Sequence, residues 1–318
     1  IQVPSIVGDG FFRHLPQSSE LSAFLETVRL SLPRALALSM NQIAFFALLA
    51  LAGTLSAGSI SVFMFAYNLQ GVPLAIIGAS YATAAFPTLA YAFSQGKSDV
   101  FLAQMGIAAR QILFWSLPAI ALMIVLRAHV VRTVLGSGAF DWTDTRLTAA
   151  AFALFAISLA AQGISLLLIR ACYASGKTLV PFVISGVSSA LMIVFGVEFL
   201  NLSAHPATGD FLETFLRVED LVGTQILALA LAYSLASFIG TIALATYFQL
   251  RFGTFFKEIG QSLGESFMAA FAAATASYFT LHSIGDITLS STLLSVLLKG
   301  SAAGFAGCAA AALAYFLL

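Results

Sequence analysis

Charge is what this sequence has least of. Only 9% of its 318 residues are Asp, Glu, Lys or Arg, against roughly 25% in an average soluble domain. A water-facing surface cannot be built from so few ionic groups, so most of the chain must face lipid or other lipid-facing helices. The fourteen basic and fourteen acidic residues cancel to a formal net charge of +0. That leaves no field for a polyanion, and nucleic acid is excluded as a partner. Cysteine is scarce too. Cys172 and Cys308 lie far apart in apolar context and read as reduced packing residues, not a redox pair. The four histidines (His14, His129, His205, His282) fall near the ends of apolar runs without metal-ligand spacing, so neither a metal nor another cofactor is expected. There is no hydrolase elbow or ATPase motif, and Gly136-Ser137-Gly138 lacks the Lys-Ser/Thr of a phosphate-binding loop. No acid/base or nucleophile–base pair falls inside the apolar runs, so the chain is not read as an enzyme. It shows no signal-peptide pattern and opens on Ile1, not Met, and is expected to be part of a longer protein.

What is abundant is long apolar sequence: 60% of residues are hydrophobic. Leu147 to Ile169 runs 23 residues without a charge, enough to cross a hydrocarbon core of roughly 30 Å at about 1.5 Å per residue. Asp141, Thr143 and Asp144 precede it as a helix cap, Arg170 closes it, and Gly176, Lys177 and Pro181 stop one helix and begin another. This hairpin is the centre on which the reading is built.

The rest divides in the same way. Residues 1–33 form a connecting segment, cytoplasmic or interfacial, in which 20–31 is either a short amphipathic surface helix or a plain loop. Span one is Ala35–Leu55, stopped by Ser56-Ala57-Gly58. Span two, Ile60 to about Phe93, is too long for a straight crossing, and Pro73 and Pro87 are expected to kink or divide it. Span three, Gln111–Leu126, follows an amphipathic lead over 97–110. Span four is the stretch above, and span five is Leu179–Leu200. A polar loop, 201–219, precedes span six, Leu221–Leu250. Spans seven and eight, about Leu263–Leu281 and Leu289–Leu318, close the chain. Gly300 and Gly304 suit close helix approach, a pattern too common in membrane helices to signal a dimer.

Eight spans put both termini on one side. With the N-terminus inside, nine lysines and arginines fall on the cytoplasmic side and five outside, so the positive-inside rule places both termini in the cytoplasm and the acidic loop 201–219 outside. Within the spans the polar groups are amides and hydroxyls. Asn41, Gln42, Asn68, Gln70 and Gln162 are the candidates for lining a solvated transport cavity, because amides at that depth must find partners. Asn68 lies just before Pro73, and broken helices beside polar groups recur at transporter sites. The plain alternative for each is an interhelical hydrogen bond.

Three segments carry a family resemblance. Gly138, Ala139, Phe140, Asp144, Thr145, Thr148 and Ala149 lead into Arg170, Tyr173 and Ala174, then Thr178 and Pro181. Leu32-Pro33-Arg34 with Ser39 and Asn41-Gln42-Ile43 is the second. Tyr67 to Gln70 with Pro73, Gly78 and Phe86-Pro87-Thr88-Leu89 is the third. Together they resemble the MurJ/MviN-type lipid II flippases of the multidrug/oligosaccharidyl-lipid/polysaccharide (MOP) exporter superfamily. The resemblance covers roughly residues 25–255 well, and the last two spans by position and hydropathy.

The resemblance implies an all-α polytopic membrane protein. It makes 34–255 the second six-helix lobe of a fourteen-helix flippase, and 256–318 the two additional C-terminal helices. It implies transbilayer flipping of a polyprenyl-pyrophosphate-linked peptidoglycan precursor by alternating access in a bacterial inner membrane. The partners it implies are that lipid-linked oligosaccharide, membrane lipid, and an N-terminal lobe absent from this sequence. Gly138, Phe140, Asp144, Arg170, Tyr173 and Pro181 are expected as structural motif residues. Two positions depart from the family pattern: Asn68 stands where an arginine is common, and Leu48 is nearest to an acid that some members use for sodium. The alternatives are a MOP-type exporter of another lipid-linked glycan or small amphiphile, and a non-transporting membrane scaffold.

Overall fold

The computed structural model of the chain describes residues 18–136, 138, 140–203, 206–252, 255–285, 287 and 291–317. Among them it is a bundle of helices, of which seven are long and apolar enough to cross a membrane, or eight if one bent pair counts as a single span. The helices are α1 (Ser18–Gly53), α2 (Ser59–Pro73), α3 (Ser80–Ser94), α4 (Ser98–Val125), α5 (Arg127–Leu135), α6 (Trp142–Ile157), α7 (Leu159–Ala174), α8 (Leu179–Ser203), α9 (Pro206–Leu216), α10 (Ile226–Phe252), α11 (Phe255–Ile284) and α12 (Leu293–Leu317). A π-helical turn, Leu74–Ala79, joins α2 to α3.

The hairpin expected to be central is central. Every residue from Leu147 to Ala156 in α6 is buried, which a helix apolar on all sides requires. Small residues Ala149, Ala150, Ala151, Ala153 and Ala156 let neighbouring helices close in. Its start is fixed by a reciprocal cap: the Asp144 backbone N–H donates to Asp141 Oδ1 (2.8 Å), and the Asp141 N–H donates to Asp144 Oδ2 (3.1 Å). One core gathers Phe45 and Leu48 of α1, Phe63 of α2, Phe152 and Phe155 of α6 and Tyr233 of α10. A second gathers Phe101 and Ile112 of α4, Leu167 and Leu168 of α7 and Phe248 of α10.

Several expectations change. Span four is two helices, not one, bent by 41° at Ser158. The Ser158 hydroxyl donates to the Phe155 carbonyl (2.7 Å), offering the backbone a partner other than the regular ladder. The separate surface helix over 20–31 does not form. α1 runs unbroken from Ser18 through Pro33 to Gly53, since no glycine intervenes before its last residue, and it crosses the expected 33/34 boundary without a break. The lead 97–110 and span three are likewise one helix, α4. The loop 201–219 contains α9, and span six begins at Ile226, not Leu221, because Gly223 at φ +85° turns the chain there. Span two is continuous from Ser59 to Ser94, and the chain widens into the π turn directly after Pro73, whose ring removes an N–H and crowds the carbonyl four residues back. Pro87 sits exposed within α3 without ending it.

α11 packs on both α4 and α12. The Tyr315 ring stacks on Phe114 at 3.9 Å and its hydroxyl donates to the Phe114 carbonyl (2.7 Å). Gly300 and Gly304 face His129 and Leu126, so this small-residue face serves a contact within the chain.

Candidate functional site

Between α1, α7, α8 and α10 lies a cavity of ≈ 270 Å³. It sits among apolar spans, yet its wall is rich in hydroxyls and amides. Asn41 enters from α1, Tyr67 from α2, Gln162 and Ser165 from α7, Ser185 and Ser188 from α8, and Tyr233, Ser237 and Thr241 from α10.

A relay of hydrogen bonds organises one side. The buried Tyr233 hydroxyl donates to Gln162 Oε1 (3.1 Å), Gln162 Nε2 donates to Ser158 Oγ (2.8 Å), and Ser158 passes the chain to the Phe155 carbonyl. The relay ends at the α6–α7 bend, so the bend and the cavity wall are one construction. On α10, Ser234 donates to the Leu154 carbonyl (2.7 Å) and Thr241 to the Ala161 carbonyl (2.8 Å), tying that helix to both halves of the bent span. Behind the relay stands an aromatic cluster: Tyr67 lies 4.5 Å from Phe45, 5.8 Å from Phe155 and 5.6 Å from Tyr233. The last two are edge contacts and the first is tilted, and such aromatic pairs fix ring positions beyond what area burial does. At the far end the Arg34 guanidinium stands 5.0 Å over the Tyr173 ring, a cation–π contact joining α1 to the end of α7.

Of the five amides singled out from sequence, Asn41 and Gln162 line this cavity. Gln42 and Asn68 are exposed and lie outside it. Gln70 is fully buried, with neither amide atom hydrogen-bonded among the described residues, and is likewise not a wall residue. Helix geometry explains the split: positions two apart point roughly 200° from one another, so Asn68 and Gln70 cannot share a face. The neighbouring Tyr67 lines the wall. Ser234, Ser237 and Thr241, which hold and line the α10 side, escaped notice, although their spacing of three, four and seven marks one helix face.

The motif residues have structural work. Gly138 takes φ +68°, a left-handed turn conformation open to glycine. The Phe140 ring meets Phe65 edge-on at 6.0 Å, and its carbonyl accepts from Arg132 (3.3 Å). Asp144 closes the cap, Arg170 is half-buried near the end of α7, Tyr173 receives Arg34, and Pro181 is buried in the first turn of α8.

The family model described as lipid II flippase MurJ matches residues 11–297. The chain belongs to this family. Relatives named probable lipid II flippase MurJ include one from Bdellovibrio bacteriovorus, 29% identical over 184 residues (55% of this chain, 35% of the relative). Another, from Thermotoga maritima, is 27% identical over 191 residues (59% and 39%). A third, from Rickettsia prowazekii, is 32% identical over 130 residues (40% and 25%). The matches thus span between a quarter and two fifths of the relatives' length. A solved structure, lipid II flippase MurJ in an inward closed conformation, superposes with a TM-score of 0.67 at 18% identity, over 93% of this chain and 56% of that one. The fold is therefore that of a multi-pass helical flippase, and family membership places the chain in the bacterial inner membrane.

Proposed function

We propose that this chain is the C-terminal part of a protein that flips a polyprenyl-pyrophosphate-linked peptidoglycan precursor, lipid II, across the inner membrane by alternating access. The family match over residues 11–297 carries the reading. The polar cavity supports it, because hydroxyls and amides around a space inside apolar spans suit a solvated path. In this reading 34–255 is one six-helix lobe and 256–318 an added pair. The other lobe comes from elsewhere in the same protein or from a separate chain, both termini of this chain are cytoplasmic, and the chain transports without catalysing a covalent step. Asn41 and Gln162 meet the transported lipid from the cavity wall, and Asn68, exposed outside that cavity, is a separate contact to it.

Asn68 is the discriminating residue. An arginine there would bind a pyrophosphate through charge-assisted bonds, whereas an amide offers bonds of roughly half that strength. In the full-length protein, Asn68→Arg is expected to keep transport and Asn68→Leu to lose it at equal protein level. Full transport in a well-expressed Asn68→Leu rules out the substrate role. The neutral amide also favours a second reading, export of another lipid-linked glycan or a small amphiphile. Depletion separates them: inward-facing lipid II should accumulate only under the first. The 318-residue chain alone, reconstituted in liposomes, is expected not to move a fluorescent polyprenyl pyrophosphate, because alternating access needs two lobes about one site.

A further inference from the structure

A second, larger cavity of ≈ 890 Å³ lies apart from the polar one, walled by the α4–α5 joint, by α6 along its length from Trp142 to Ile157, and by the ends of α9 and α11. Three arginines line it: Arg127, Arg146 and Arg217. Arg146 is spoken for. It grips Asp220 through two bonds of 2.6 and 2.7 Å and holds that carboxyl below its usual range, and it also donates to the Arg217 carbonyl (2.7 Å). Arg127 and Arg217 have no carboxylate within ion-pair distance among the described residues. Arg127 donates to the Leu216 carbonyl (2.9 Å), and burial together with the Arg217 charge pulls its guanidinium below the ordinary value. Half-buried Arg127 and exposed Arg217 thus bring two positive charges to one cavity wall, and like charges brought together favour an anion between them.

Arg217 carries a second cost. The Arg217 N–H reaches the Thr214 carbonyl and the Val218 N–H reaches the Glu213 carbonyl, the paired bonds that end a helix with a left-handed residue. That residue is usually glycine; here it is arginine at φ +59°. Strain of this kind clusters at ligand sites. The lip is apolar and aromatic: Phe215 is 69% and Tyr278 57% exposed, and Tyr278 lies near the end of a membrane span, where tyrosines anchor at the headgroup level. Asp286, beside the lining Ile287, lies outside the described residues.

We propose that this cavity binds the phosphate head group of a membrane lipid, with Arg127 and Arg217 on the phosphate oxygens and the Phe215–Tyr278 lip against the chain. An anion there offsets both the like-charge pair and the strained backbone, and the lip selects an amphiphile over a free ion. The site goes beyond the flipping reading and is scored by equilibrium binding without a transport step, so the two fail independently.

The test uses the full-length protein in neutral detergent, titrated by native mass spectrometry with phosphatidylglycerol, a polyprenyl diphosphate, phosphatidylcholine and inorganic phosphate. The tightest site should take the two anionic lipids at least tenfold better than phosphatidylcholine or inorganic phosphate. The double variant Arg127→Gln, Arg217→Gly should lose that tenfold. A tenfold preference for the polyprenyl diphosphate assigns the site to the transported class of lipid, and parity assigns it to bulk anionic lipid; either supports the proposal. Glycine suits the left-handed position, so the variant's unfolding midpoint checks that it folds. If the Arg127 change prevents folding, Arg217→Gly alone should still lose binding several-fold. Unchanged binding in the folded variant, no preference over phosphatidylcholine, or equal uptake of inorganic phosphate overturns the proposal.

Discussion

Arg217 and Tyr233 show what single residues contribute and how far each was legible. Nothing in the sequence around Arg217 advertises a left-handed backbone, because helix ends are normally recognised by glycine. Exchanging it for glycine removes a side chain from a conformation that disfavours one, and should stabilise the fold by about 1 kcal/mol. A thermal unfolding midpoint that falls in Arg217→Gly would mean that the side chain supports the fold. Tyr233 was equally silent as a sequence letter, since a tyrosine in an apolar run reads as packing. Its role rests on Gln162, 71 positions away in sequence, and only tertiary structure brings them together. Tyr233→Phe leaves Gln162 Oε1 without its donor. The expected loss is about 0.6 kcal/mol and no more than about 1.7, the range for interhelical hydrogen bonds in membranes, read as a lowered unfolding midpoint in detergent. Asn41 and Gln162 were legible because an amide in an apolar run stands out. Gln70 stood out equally but proved buried, and only its helix phase relative to Tyr67 separates the cases.

At the scale of elements, span existence was legible and span shape was not. Eight apolar runs correspond to seven long helices and one bent pair, because hydropathy reports the environment a segment needs. The 41° bend at Ser158 has no signature in a charge-free run, where one serine among alanines and leucines looks like any other. The π turn after Pro73 was half legible: the proline announces a break, but where the strain goes depends on the neighbour. That neighbour is α7. A Cβ on Gly78 would lie 2.8 Å from the Gly163 Cα, backbone against backbone, and a Cβ on Gly163 would meet Ile112 at 2.9 Å. Gly78→Ala must therefore push the π turn off α7, at a cost of about 1–3 kcal/mol for overpacking. Gly71→Ala, seven residues earlier with nothing within 4 Å of its new Cβ, should instead gain up to about 1 kcal/mol from helix propensity. The unfolding midpoints of the two variants should move in opposite directions, and a Gly78→Ala protein as stable as the parent would show that the π turn is not locked against α7.

At the scale of the whole molecule, orientation is the property that charge placement predicts. The basic residues sort by end. Arg127, Arg146 and Arg217 surround one cavity, as expected for groups assigned to the same side of the membrane, while Arg34 stacks on Tyr173 near the end of α7, where Arg170 and Lys177 also lie. Between the two ends runs α8, 25 residues from Leu179 to Ser203, roughly 37 Å at 1.5 Å per residue. That exceeds a hydrocarbon core of roughly 30 Å, so Ser175 and Ser203 belong to opposite sides. The nine-to-five division of lysines and arginines predicts Ser175 inside and Ser203 outside. Cys172 is buried and Cys308 exposed, so both are replaced before single cysteines are introduced. In spheroplasts, Ser203→Cys should react with an impermeant maleimide, and Ser175→Cys should react only after permeabilisation. Labelling of Ser175→Cys in intact spheroplasts would invert the molecule, moving the arginine-lined cavity to the cytoplasmic face and Arg34, Arg170 and Lys177 to the outer one.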